Sequence, residues 1–133
     1  MKPLRILLVD DSRFFRDSAA TALSTLEGVE IVAQVASAAE AFEELKGHPA
    51  DLVLMDISMP HMSGIEATLH IKALPDAPRV VLVTSHDGDA YRAAGKAAGA
   101  DGYVVKERLL EAMSTVIADE KRRSEGGAEI TPA

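Results

Sequence analysis

The sequence predicts an α/β protein: a three-layer, doubly wound, five-stranded parallel sheet with helices on both faces. Two observations predict it. Five short apolar runs alternate with segments whose apolar residues recur at helical spacing. The connections between them are short, so each strand must be followed by a helix that packs back onto the same sheet.

The first run, Leu4–Val9, is apolar apart from Arg5 and reads as a buried strand. Phe15, Ala19, Ala22, Leu23 and Leu26 then form one helix face, capped by Asp11 or Ser12 and ended by Gly28. Val29, Ile31, Ala33 and Val35 alternate with their neighbours, which predicts an edge strand with one partly exposed face. Ser37 caps a second helix carrying Ala38, Ala41, Phe42 and Leu45, and the stretch Gly47–Ala50 breaks it. Leu52–Met55 is the third strand. A loop over Ser58–Gly64 leads to a helix from about Ile65 to Leu74, ended by Pro75 and Pro78. Arg79–Val83 is the fourth strand. Asp89–Ala98, rich in Ala and Gly with little apolar moment, predicts a weakly anchored helix. Gly99–Gly102 turns into a fifth strand ending at Val105. Leu109, Leu110, Met113, Val116 and Ile117 mark the last helix. The expected division is a folded unit over residues 1–121 and a polar, disordered tail over 122–133.

Composition narrows the function. With 133 residues, 47% of them hydrophobic, the chain can build one real core. It has no Cys, which excludes a disulfide framework, a thiolate zinc site and a cysteine nucleophile. No signal-peptide pattern and no apolar run near the roughly 18 residues of a membrane span is present, so a cytoplasmic location is expected. A net charge of −7 without a basic stripe argues against direct nucleic-acid binding and against a membrane partner.

Four strands end on residues suited to phosphate chemistry: Asp10 and Asp11, then Asp56, Thr84 and Lys106. In an open parallel sheet these ends share one edge, where ligands bind. Each has an ordinary reading alone. Asp10-Asp11-Ser12 is a capping sequence, Asp56 can cap a helix, Thr84 is a common strand residue, and Lys106 reads as a solvated lysine at a helix start. Together they describe three carboxylates, a hydroxyl and an ammonium around one crevice.

Leu7–Ser12, Asp51–Gly64, Thr84-Ser85 and Gly99–Lys106 resemble, in order, the signatures of a two-component response-regulator receiver domain. The resemblance covers roughly residues 4–121. It implies the flavodoxin-like strand order 2-1-3-4-5, which is borrowed from the family. It also implies that Asp56 accepts a phosphoryl group from a sensor histidine kinase or phosphotransfer protein. Mg2+ would be bound by Asp11, Asp56 and the backbone carbonyl of Ser58, with Asp10 acting mostly through water. Lys106 and Thr84 would contact phosphoryl oxygens, and Thr84 with Tyr103 would form the switch. The implied protein is no enzyme beyond its own phosphorylation and dephosphorylation. Its downstream partner is a protein target or an output domain outside this sequence, and a phosphorylation-dependent dimer is among the assemblies allowed. One position departs from the family: Glu107 stands where many receivers have proline, which predicts a trans Lys106–Glu107 bond and an altered loop. Ser58 and His86 occupy positions that vary in the family and tune phosphate lifetime. Two other classes fit less well. A receiver-like interaction module that is never phosphorylated would not need so complete a site. A magnesium-dependent phosphoesterase would need a general acid near Asp56, where Ser58 stands.

His48, His61 and His70 lack metal-ligand spacing and read as surface residues. Met55, Met59, Met62 and Met113 read as packing. Asp87-Gly88-Asp89 has only a fragment of a calcium loop.

Overall fold

The five apolar runs become strands β1 (Leu4–Val9), β2 (Val29–Val35), β3 (Leu52–Asp56), β4 (Arg79–Thr84) and β5 (Gly102–Val105). In the computed structural model, which describes residues 2–85 and 88–126, they form one parallel sheet in the order β2-β1-β3-β4-β5. Between and after them lie α1 (Arg13–Leu23), α2 (Ala38–Gly47), α3 (Gly64–Lys72), α4 (Asp89–Ala97) and α5 (Leu109–Gly126). His86 and Asp87 lie outside the described residues, as do 127–133.

Successive strand residues face opposite ways, so the sheet divides two cores. Ile6, Leu8, Leu52, Leu54, Val81 and Val83 pack against Leu23 of α1 and Met113 and Ile117 of α5. Leu7, Val9, Val53, Met55, Val80 and Leu82 pack against Ala38 and Ala41 of α2 and Ala67 and Ile71 of α3. Burial on both sides explains why β3 reads as an unbroken apolar run: all its residues are buried.

Local signals set the helix starts. Ser12, Ser37 and Ser63 each accept the backbone N–H three residues on, from Phe15, Glu40 and Glu66. Thus Ser12, rather than Asp11, caps α1. At α2, Glu40 Oε1 also accepts from the Ala36 N–H at 2.9 Å, a variant of the reciprocal cap. α4 has no side-chain cap, and Gly95 is its one buried residue. It is weakly anchored, as the sequence predicts, although its apolar and polar residues are more sharply segregated than expected.

Several local expectations need correction. α1 ends at Leu23 with Ser24 as its C-cap, so Leu26 and Gly28 belong to the following turn and not to the helix. Val29, Ile31, Ala33 and Val35 do not share one face. Ile6 pairs with Ile31 but Leu7 pairs with Ala33, so Val32 is an extra residue and the register shifts there. A bulge flips the later part of the strand: Val29 and Ile31 pack with the α1 and α5 core, Ala33 and Val35 with the α2 and α3 core. The last helix also continues through Gly126, beyond the boundary expected at 122. The run Glu120-Lys121-Arg122-Arg123 has no apolar stripe but good intrinsic helix propensity, which carries the helix past its last core contact. Among the described residues, no helix is long and apolar enough to cross a membrane. His48, His61 and His70 are exposed, while Met55 and Met113 are fully buried.

Candidate functional site

Because all strands are parallel, β1 hands over directly to Asp10, β3 ends on Asp56, β4 ends on Thr84, and Lys106 follows β5. The register puts Asp56 beside Val83 and Thr84 beside Val105. Asp10, Asp56 and Thr84 are buried, whereas Asp11 is exposed. One carboxylate oxygen from each of Asp10, Asp11 and Asp56 lies within 4.8 Å of the others. Lys106 Nζ sits 2.8 Å from Asp10 Oδ2 and 3.7 Å from Asp56 Oδ1.

The loop after β3 is held by its own backbone. The Ile57 N–H donates to Val83 O at 3.2 Å, and the Gly64 N–H donates back to Ile57 O at 2.8 Å. A Cβ on residue 64 would stand 2.0 Å from the Asp56 carbonyl oxygen, so only glycine fits where α3 begins. This closure turns the chain at Ser58, whose N–H donates to Asp56 Oδ1 at 3.3 Å. The Lys106–Glu107 bond is trans, as expected, and Lys106–Arg108 form a 3-10 turn before α5.

The electrostatics are unbalanced. Burial, and next the charge of Asp10, push the Asp56 carboxyl up to about 7, with Asp11 adding to the rise. Lys106 and the Ser58 N–H oppose this without cancelling it. Asp10 Oδ1 accepts the Ser12 N–H at 2.8 Å. Its Oδ2 is buried and receives no aligned hydrogen bond from the described residues; the nearby ammonium compensates it by charge. Hard oxygen donors with surplus negative charge are what a divalent cation such as Mg2+ requires, and the three aspartates can hold one.

Two neighbours went unrecognised as site residues in the sequence. Phe15, read there only as part of an apolar helix face, puts its ring 4.3 Å from Lys106 Nζ, measured to the centroid. Arg16 Nη1 donates to the Asp10 main-chain oxygen at 2.6 Å. The available signal was their place in the first turn of α1, which folds back over the strand end that carries Asp10. Tyr103 is not gathered into the cluster. It lies opposite Leu82, half-buried, with the Arg92 guanidinium 4.5 Å from its ring centroid. His86, one of the two positions expected to tune phosphate lifetime, and Asp87 of the calcium-like fragment lie outside the described residues.

The family model for the response regulator receiver domain matches residues 6–118. The chain is 36% identical over 117 residues to chemotaxis protein CheY of Bacillus subtilis, covering 85% of this chain and 97% of that protein. It is 32% identical over 130 residues to transcriptional regulatory protein DegU of Brevibacillus brevis, covering 97% of this chain and 53% of that protein. Among solved structures, the CheX-CheY-BeF3-Mg+2 complex from Borrelia burgdorferi matches with a TM-score of 0.77 at 26% identity, over 86% of this chain and 90% of that one. The chain spans as little as 30% or as much as 97% of the length of the curated relatives it matches. A family model over most of the chain, near-complete coverage of a relative above 30% identity, and a sheet in the order 2-1-3-4-5 agree: the chain belongs to the response regulator receiver domain family of two-component systems.

Proposed function

We propose that Asp56 accepts a phosphoryl group from a sensor histidine kinase or phosphotransfer protein, and that this changes a surface read by a downstream protein or output domain. The reading rests above all on one observation: Asp56 is a buried carboxyl, raised to about 7, with like charges beside it and one ammonium within 4 Å. A structural carboxylate would be given donors instead. Relatives support the chemistry, since the matching CheY complex contains BeF3 and Mg+2.

In this reading an Asp56 oxygen attacks phosphorus, an O–P bond forms, and the bond to the donor's nitrogen breaks as the donor leaves with its electron pair. Asp11, Asp56 and the Ser58 carbonyl would hold Mg2+, with Asp10 acting mostly through water, and the ion would supply positive charge to the phosphoryl oxygens. Lys106 leaves Asp10 to pair with the same oxygens, and the Thr84 hydroxyl donates to one of them. Thr84 and Tyr103 then bias α4 and β5 toward a second arrangement. Water later attacks the acyl phosphate and restores Asp56. The protein is a cytoplasmic switch that catalyses only its own phosphorylation and dephosphorylation.

Incubation with Mg2+ and acetyl phosphate tests this. Intact mass should show one added phosphoryl group that decays on standing, and Asp56→Asn should show none. A parent protein that is never labelled, or an Asp56→Asn variant labelled as fast as the parent, would leave the non-phosphorylated interaction module as the better account.

A further inference from the structure

Lys106 reaches the carboxylates on a flexible four-carbon stem, so something must hold its ammonium there. Two of its contacts are the carboxylates themselves, at 2.8 Å and 3.7 Å. The third is the Phe15 ring, 4.3 Å away at its centroid, where the negative face of an aromatic quadrupole attracts a cation.

The ring is tied to the groups that the lysine serves. The Ser12 N–H donates to Asp10 Oδ1, and the Phe15 N–H donates to Ser12 Oγ. The Phe15 ring faces the ammonium, and the ammonium sits on Asp10 Oδ2. Asp10, Ser12, Phe15 and Lys106 therefore close a loop of contacts that begins and ends on one carboxylate. Phe15 also lines two spaces. With Asp10 and Asp56 it lines a cavity of about 10 Å³, barely enough for one water. Together with Lys106 and Glu107 it lines a groove of about 210 Å³ between α1 and α5.

We propose that Phe15 is the positioning residue for Lys106: its ring face keeps the ammonium at Asp10 and Asp56. The purpose of that positioning rests on the phosphoryl-acceptor reading; the contact itself does not.

Two cycles built on the full chain test it, using Phe15→Leu, Phe15→Tyr and Lys106→Met. The first measures urea unfolding in metal-free buffer with no phosphodonor. Phe15→Leu should shift the unfolding constant about threefold more in the parent than in the Lys106→Met background, and Phe15→Tyr should behave as the parent. The second measures labelling by acetyl phosphate with Mg2+. Phe15→Leu should slow it about threefold to tenfold, Phe15→Tyr should restore it, and Phe15→Leu should add nothing once Lys106→Met is present. Equal losses in both lysine backgrounds would make Phe15 mere packing and overturn the proposal. A coupled unfolding cycle in a protein that is never labelled would retire the phosphoryl reading while upholding the lysine contact. If Phe15→Leu does not fold, proton NMR of the parent decides: Lys106 Hε signals displaced upfield by the ring support the contact, and undisplaced signals overturn it.

Discussion

Asp51 and Asp56 flank the same strand, and their carboxyls are shifted in opposite directions. Asp51, just before β3, receives the Arg5 backbone N–H at 2.9 Å, Arg5 Nε at 3.3 Å and Arg5 Nη2 at 3.2 Å. Burial works to raise its pKa, but the hydrogen bonds and charge of Arg5 outweigh it and hold the carboxyl below its ordinary value. Asp56, at the far end, has burial and two neighbouring aspartates against it. Supplied with donors, a carboxylate straps β1 to β3. Short of them, it leaves negative charge that a cation can meet. Unsatisfied charge of this kind is a mark of function rather than of folding.

The largest expected effect breaks the comparison at its charged end. Asp56 has a folded pKa near 7 against an ordinary 3.8. Between those values the unfolded chain gives up the proton that the folded protein keeps, so stability falls as pH rises. The contribution is full below about pH 4 and lost above about pH 7. Asp56→Asn removes that loss. Urea melts in EDTA should show the variant more stable than the parent by on the order of 2–4 kcal/mol at pH 8, with no advantage near pH 4. An advantage that does not change with pH would mean that the burden at Asp56 is not its charge.

A second variant perturbs the geometry of that end and leaves its charges alone. Gly64→Ala would drive a Cβ into the Asp56 carbonyl and the Met55 side chain, 2.0 Å and 2.9 Å away. It should cost about 3 kcal/mol at every pH, because the atom met first is backbone and cannot rotate away. Thermal melts at pH 4.5 and 8 should show equal losses; a loss confined to one pH would tie the glycine to the charge rather than the shape.

The smallest effect lies at the other end. Arg5 and Asp51 side chains are 42% and 39% exposed, so water screens the pair. Asp51→Asn should cost only about 1 kcal/mol at pH 7 and less in high salt. Since the Asp51 pKa is lowered, its contribution is full above about pH 4 and lost as pH falls through the lowered value, opposite in sign to that of Asp56. Salt-independent destabilisation well above this size would show that the strap acts through packing.

The layers, the parallel sheet and the edge that gathers Asp10, Asp11, Asp56, Thr84 and Lys106 were legible in the sequence. Apolar runs and helical spacing are local signals, and parallelism alone brings strand ends together. The unread features depend on what lies opposite in space. The bulge at Val32 is fixed only when β2 is set against β1, although the apolar triplet Ile31-Val32-Ala33 already interrupts the alternation. That Lys106 rests on Asp10 rather than Asp56, and against Phe15, is a rotamer choice made by three elements at once. Phe15 matched the apolar period of α1, and that match concealed its second contact.

α4 is fastened to the sheet through Gly95, beneath which lie Leu82 and Tyr103, and it starts without a side-chain cap. Its local opening exposes little apolar surface, so it costs far less than unfolding the domain. Amide protons over Asp89–Ala97 should therefore trade for deuterium well before those of β3, whose residues are all buried. The sheet sets how long the domain stays folded, while one buried glycine and the Arg92 contact on Tyr103 set how often this helix lets go.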